Sequence, residues 1–246
     1  MRYEESICEG RNPVIEAFRS GKTIDRVFVL EGSHDGPIQT IIREAKKRNT
    51  MINFVKKDRL DKMSATGHHQ GVIAYIAAYE YAGVEDILSA AEAKGESPFV
   101  IILDGIEDPH NLGAIIRTAN LAGAHGVIIP KHNASGLTAT VAKASAGAIN
   151  YTPVAKVTNI SKTIADLKEK GMWFVCAAGD GDIMYDLNLT GSIGLVVGNE
   201  GKGVSRLVRE ACDYTAAIPM KGDIDSLNAS VAAAVLAYEI VRQRRV

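Results

Sequence analysis

From residue 98 onward, short apolar runs alternate with segments of helical period, and this alternation constrains the fold more than any other feature of the 246-residue chain. The run at 99–103 is apolar throughout, as a strand covered on both faces requires. Residues 112–121 follow, with Leu112, Ile115, Ile116 and Ala119 at helical spacing. The same reading predicts strands at 126–129, 152–156, 173–177, 194–197 and 214–218, and helices at 138–146, 160–170, 204–212 and 227–242. Strands alternating with helices of this length build a parallel sheet with helices on both faces. The expectation is a three-layer α/β domain over 98–246.

The N-terminal part has a sparser pattern. Asn12-Pro13 reads as a helix start, with Asn as the cap and Pro at the first helical position. Strands are predicted at 26–30, 52–55 and 71–78, and a helix at 38–48. A charged, Ala-rich stretch at 84–97 ends at Pro98 and reads as a helix with a linker. The expected organisation is a small α/β domain over 1–78, a linker over 79–97 and the larger domain after it.

Net charge is −1, so the chain as a whole does not announce a nucleic-acid partner. Its distribution says more, because residues 1–77 carry +3 and the remainder −4. Residues 43–62 hold eight basic side chains (Arg43, Lys46, Lys47, Arg48, Lys56, Lys57, Arg59 and Lys62) against three acidic ones. A basic patch of that size steers toward phosphate, although a solvated helix face has the same composition. Cys8, Cys176 and Cys212 are far apart and odd in number, so no disulfide framework follows from them. There is no apolar leader and no run able to span a bilayer, and the reducing cytoplasm is the expected compartment.

Several familiar chemistries fail on inspection. Gly21-Lys22-Thr23 resembles the end of a phosphate-binding loop, but Glu16 occupies the required glycine position. Neither half has a dinucleotide-binding GxGxxG after its first strand. The six histidines form no HExxH pair, adjacent His68 and His69 point apart, and no metal is expected.

Three blocks remain. The first, residues 104–120, is a strand end, a Pro-containing turn and a helix capped near Asn111, with Gly113, Arg117 and Asn120 opposite its apolar stripe. An arginine one turn beyond a glycine could approach a phosphate or ribose closely, and a solvated amphipathic face explains it equally. The second, residues 195–205, places Gly198, Gly201 and Gly203 just after a buried strand, where the backbone turns tightly or admits a ligand. The third, residues 218–230, is a loop entering a helix for which Ser226 or Asp225 would serve as cap.

In this order, at the end of an α/β domain, the blocks resemble the three motifs of the SpoU-type RNA 2'-O-ribose methyltransferases of the SPOUT superfamily. The resemblance rests on Asn111 with Arg117, then Asn199-Glu200-Gly201, then Ser226-Leu227-Asn228 with Ser230, and it covers 98–246. The segment Gly67-His-His-Gln-Gly-Val72 is further similar to the bacterial subgroup that modifies a guanosine of large-subunit ribosomal RNA. In that subgroup a small α/β domain, similar to certain ribosomal proteins, binds RNA.

The resemblance implies a C-terminal trefoil knot, a feature that general topology rules would not suggest. It also implies S-adenosylmethionine as methyl donor and a homodimer with the final helix and the first-block helix near the interface. Arg117 becomes the catalytic arginine, as a base or as an electrostatic anchor, and a guanidinium stays protonated in proteins. Asn111 and Asn228 would position it and the ribose, while Glu200 and Ser226 organise the loops or assist proton removal. Ala177, Gly198, Asn199, Gly201, Ile218, Met220 and Leu227 would bind the cofactor. A transfer-RNA substrate, or a non-catalytic RNA-binding or ribosome-assembly protein of the same fold, are the alternatives.

Overall fold

The computed structural model describes residues 6–77, 79–224 and 226–245. The chain divides into two units: Met1–Glu80 with Gly136–Ala139, and Tyr81–Ser135 with Thr140–Val246.

The first unit contains β1 (Ser6–Glu9), α1 (Arg11–Arg19), β2 (Ile24–Leu30), α2 (Gly36–Lys47), β3 (Met51–Val55), α3 (Lys57–Met63) and β4 (Val72–Ile76). The sheet order is β1-β4-β2-β3, with β2 and β3 parallel and β4 antiparallel to both of its neighbours. Period-two alternation sends Val27 and Val29 of β2 to one side, where they pack with Phe18 of α1 and Ile38 and Ile41 of α2. Phe28 points to the other side, toward Leu60 of α3.

This layering divides the basic run. Arg43, Lys46 and Lys47 ride on α2, whereas Lys57, Arg59 and Lys62 ride on α3, across the sheet. A stretch continuous in sequence is therefore two surfaces rather than one patch. The first helix also begins earlier than expected. Its cap position is Gly10, at φ +91°, and Pro13 falls inside the first turn, where a missing N–H costs little.

Glu9, at the end of β1, secures the loop that leads to β4. Its carboxylate accepts hydrogen bonds from the Ala65 N–H at 2.6 Å and the Thr66 hydroxyl at 2.8 Å, and from the Ser64 hydroxyl. Burial opposes ionisation of Glu9, but these donors outweigh it and hold the carboxyl below its ordinary range.

The second unit contains α4 (Val84–Lys94), β5 (Phe99–Asp104), α5 (Pro109–Leu121), β6 (Gly126–Pro130), α6 (Ala139–Ala144), β7 (Val154–Val157), α7 (Ile160–Lys168), β8 (Trp173–Ile183), β9 (Ile193–Gly198), α8 (Arg206–Ala211), β10 (Tyr214–Ala217) and α9 (Ala229–Arg244). All six strands are parallel, in the order β10-β8-β9-β5-β6-β7. Val100, Ile102, Ile128, Phe174 and Val196 form the core of one face. The stretch expected as a linker belongs to this unit instead: Ile87 of α4 is fully buried in that core. Only two α4 side chains, Ile87 and Ala91, are buried, which is why the segment reads as a connector.

The first-block helix is capped by Asp108, whose carboxylate accepts the His110 N–H at 2.9 Å, with Pro109 at its start. The cap expected near Asn111 lies three residues too late. Gly113 on this helix is buried, and a Cβ there would stand 2.8 Å from the Val141 carbonyl oxygen and 3.0 Å from the Ser145 nitrogen. Close packing of α5 on α6, not approach to a ligand, explains that glycine.

β8 runs well past the predicted 173–177. Its ladder with β10 pairs Cys176 with Thr215 and then Asp182 with Ala216, so residues 177–181 bulge out between two paired stretches. α9 returns to pack against β9, β8 and α5. Its far end is tied down by Gln243, which accepts from Leu189 N at 2.8 Å and donates to Leu187 O at 3.0 Å. Arg244 donates to Pro98 O at 2.9 Å and stacks over Phe99.

A carboxyl ionising below its unfolded value contributes stability above that value and loses it as pH falls through the folded one. Glu9→Gln should therefore lower the melting temperature most near neutral pH, with the deficit shrinking on acidification through the carboxylate range. A deficit that grows as pH falls would contradict this role for Glu9.

Candidate active site

Three segments distant in sequence meet at the carboxyl edge of the second sheet. Asn111, in the first turns of α5, is 6% exposed. Its Nδ2 donates to Glu200 Oε1, and its Oδ1 accepts from Asn228 Nδ2 at 3.0 Å. The same Asn228 Nδ2 lies 3.2 Å from Glu200 Oε1. Asn228 Oδ1 in turn caps α9, accepting the Ser230 N–H at 2.9 Å and the Ser230 hydroxyl at 2.6 Å. The helix cap is thus Asn228 and not Ser226; Asp225 lies outside the described residues.

The glycine-rich loop is held just as closely. Asn199 donates to Gly105 O at 3.1 Å and accepts from Gly201 N at 2.9 Å, while Ser205 N donates to Asp104 Oδ2 at 2.7 Å. A Cβ on Gly198 would collide with the backbone of Gly203 and Val204. The space at Gly198 is filled by the loop itself, so this glycine serves a tight turn rather than a ligand's approach.

Beside the junction is a narrow cleft of about 170 Å³. Ala177 and its neighbours Ala178 and Gly179, from the β8 bulge, form one wall. Gly198, Asn199 and Glu200 form a second, and Ile218, Met220, Ser226 and Leu227 close it. Six of the seven residues expected to bind the cofactor line this cleft; Gly201 sits in the loop but not on the wall. Sequence reasoning did not single out Ala178, Gly179 or Ala216; for the first two, the run of small residues directly after the strand expected at 173–177 was the available signal, whereas Ala216 lies inside β10.

The cleft suits an adenosyl group and a short thioether chain. Its walls are small apolar side chains and turning backbone, which present amide and carbonyl groups to a flat heterocycle. Glu200 is the one acidic side chain among its described lining residues, and negative charge beside a sulfonium is electrostatically favourable. The residues present therefore fit S-adenosylmethionine.

Arg117 stands apart. It is exposed, six residues beyond Asn111 on the same helix, and has no hydrogen bond or ion pair among the described residues. At helical rise that is roughly 9 Å along the axis and about 120° round it. A single chain does not bring Arg117 into the Asn111–Glu200–Asn228 junction. A broader cleft of about 620 Å³, with Glu107, His132, Asn133 and Lys202 on its walls, lies across the 198–205 loop and shares Asn199 and Gly203 with the narrow one.

A parallel sheet with a small-molecule cleft at its carboxyl edge defines an α/β cofactor-binding enzyme domain. Residues 98–238 match the model of the SpoU rRNA methylase family, and residues 7–82 match that of the RNA 2'-O ribose methyltransferase substrate-binding domain. The chain belongs to the SpoU family of RNA methyltransferases, which is S-adenosylmethionine-dependent. It is 50% identical to YacO of Bacillus subtilis, named as a TrmH-family tRNA/rRNA methyltransferase, over 99% of this chain and 98% of that one. Among solved structures it is similar to the SpoU methyltransferase AviRb of Streptomyces viridochromogenes in complex with S-adenosylmethionine. That match has a TM-score of 0.61 at 25% identity, covering 97% of this chain and 90% of AviRb. The TrmH/SpoU tRNA-modifying enzyme of A. aeolicus matches with a TM-score of 0.55 at 27% identity, over 60% of this chain and 76% of its own.

The junction can be tested through its acceptor. Glu200→Gln keeps a carbonyl oxygen for the two asparagine amides, whereas Glu200→Ala strands the nearly buried Asn111 donor. The alanine variant should lose about 1–2 kcal/mol in urea unfolding and the glutamine variant little of that. Equal losses would show that the two hydrogen bonds do not hold the loop.

Proposed function

We propose that the protein transfers the methyl group of S-adenosylmethionine to the 2'-hydroxyl of a guanosine ribose in large-subunit ribosomal RNA, in the cytoplasm. The observation that carries this reading is the meeting of Asn111, Glu200 and Asn228 at the mouth of a cleft walled by Ala177, Gly198 and Leu227.

When bound, the cofactor supplies a methyl on a sulfonium, already a good leaving group. The chain must hold a ribose oxygen in line with it at near-attack distance. Asn111 and Asn228, fixed by each other and by Glu200, give the sugar a rigid amide-lined seat. The Arg117 guanidinium anchors the adjacent phosphate bidentately and stabilises the developing alkoxide. The Ser226 hydroxyl, on the cleft wall, assists departure of the hydroxyl proton.

The exposed position of Arg117 fits a site completed in a homodimer. The first ten residues of α9, 229–238, are apolar or aromatic except for Ser230, yet Val231 is 46% and Tyr238 50% exposed, two turns apart on one face. That stripe, on a helix packed against α5, is the face a second copy would cover. The family's trefoil knot is part of the same reading. It is supported by the strand order, with β10 at the edge beyond β8 while α9 returns across β8 and β9 to α5.

Ribosomal RNA is favoured by the first unit, whose α2 and α3 surfaces both carry cations. The A. aeolicus tRNA-modifying enzyme covers only 60% of this chain.

Mapping 2'-O-methyl ribose in RNA from cells with and without the protein tests the substrate: one guanosine of large-subunit RNA should lose its mark. Loss confined to transfer RNA would replace the substrate, and no loss would remove the reading. Purified Arg117→Ala should keep cofactor affinity and lose single-turnover transfer by at least about 100-fold, the scale of one transition-state electrostatic contact. Near-normal transfer would unseat Arg117, and a persistent monomer in sedimentation that still methylates RNA would unseat the dimer.

A further inference from the structure

The broad cleft stands beside the narrow one, with the 198–205 loop between them. At about 620 Å³ it falls inside the roughly 300–1,000 Å³ range of small-molecule sites. Its lining comes mostly from the segments that leave β5, β6, β7 and β9 at their carboxyl ends. From β5 the chain winds outward to β6 and β7, then crosses to β8 on the other side of the sheet. Ligands of parallel sheets bind where the winding reverses in this way.

The polar groups on its wall fall into two sets. Asn199 and Asp104 are spent on the loop, through Gly105 O, Gly201 N and Ser205 N. Glu107, His132, Asn133, Thr158 and Lys202 are exposed, and their side chains make no hydrogen bond or ion pair among the described residues. Solvated side chains scattered over a surface are ordinary. Here five of them ring one hollow whose remaining wall includes the apolar Pro130, Ile160 and Val208. A flat ligand with apolar faces and hydrogen-bonding edges suits that lining, and in an RNA methyltransferase such a ligand is an unstacked nucleobase.

Charge decides which part of the RNA enters. Two acidic side chains, Asp104 and Glu107, oppose a phosphate inside the cleft, so the strand's backbone stays at the rim. Lys202 meets it there, in the turn closed by the Asn199–Gly203 bridge. The two oxygens of Glu107 are hydrogen-bond acceptors lying side by side. Guanine is the base whose Watson–Crick edge carries two adjacent donors, N1–H and the N2 amine. We infer that the broad cleft seats the guanine of the methylated nucleotide, with Glu107 accepting from N1 and N2 and Lys202 pairing with a phosphate of the strand.

The two clefts share Asn199 and Gly203. A base on one side of the loop and a methyl donor on the other leave the ribose between them, beside Glu200. Glu107 directly precedes Asp108, the cap of the helix that carries Asn111, so one element holds both the base and the junction. Glu107 is thus a specificity-determining residue, and it takes no part in the transfer itself.

This assignment rests on the proposed transfer to an RNA ribose, and two readouts test it separately. Large-subunit ribosomal RNA transcribed with a small share of 6-thioguanosine is bound to the full-length protein and irradiated, and the adducts are mapped by peptide mass spectrometry. Adducts are expected within 105–107 or 130–133. Single-turnover transfer from tritiated S-adenosylmethionine is then measured on transcripts with guanosine or inosine, which lacks the N2 amine, at the methylated position. Wild type should be severalfold slower on inosine. Glu107→Gln should be at least about fivefold slower than wild type on guanosine and indifferent to the exchange, with unchanged affinity for S-adenosylhomocysteine. Equal wild-type rates on the two bases, a guanosine preference that survives Glu107→Gln, a methyl mapped to another nucleotide, or no adduct in either segment would each overturn the assignment. If wild type transfers no methyl to this RNA, the functional reading has failed, and the adduct map still decides whether the cleft holds guanine.

Discussion

The second unit depends on a junction of three side chains, in which Glu200 accepts from Asn111 and Asn228 while Asn228 caps the last helix. Each member does two things at once. Asn111 joins the start of α5 to the glycine-rich loop and to the C-terminal segment. Asn228 uses its amide nitrogen for the junction and its oxygen for the helix cap, so moving it would both open the site and fray α9. Glu200 offers one carboxylate oxygen to both amides, which ties the loop to two helices at a single atom. Networks with every group satisfied are stiff, and stiffness is what a group-transfer site requires of its walls.

The cleft owes its existence to a departure from regular structure. Had β8 kept its register with β10, residues 177–181 would be paired and no wall of free backbone would face Leu227. The bulge is affordable because the strand is anchored on both sides of it, by Val175 and Cys176 before and by Asp182 and Ile183 after. At the other end of the sheet Gln243 and Arg244 fasten α9 to the loops that begin β5 and β9. The helix bearing Asn228 at its cap is therefore fixed at both ends.

Much of this architecture was legible from local pattern. β5, β6 and β9 are near-continuous Val/Ile/Leu runs, and the structure places each within one residue of its predicted bounds. What escaped had weak local signal. β1, Ser-Ile-Cys-Glu, has no apolar run, and α3 buries only Leu60. The continuation of β8 through Ala-Gly-Asp-Gly-Asp reads as a turn, because glycine and aspartate rarely extend a strand. The three blocks of the site were recognisable as motifs, but their hydrogen bonds span the whole second unit, and no periodicity encodes such contacts. Nor could pattern show that Arg117 stands clear of them or that the basic run splits across a sheet.

The central claim is that the methyl donor sits in the narrow cleft against this junction, and a crystal structure with S-adenosylhomocysteine tests it directly. The account predicts density between the Ala177–Gly179 bulge and Leu227, with the sulfur toward the side where Asn111, Glu200 and Asn228 meet. Density instead in the broader cleft beside His132 and Lys202, with the narrow one empty, would contradict it.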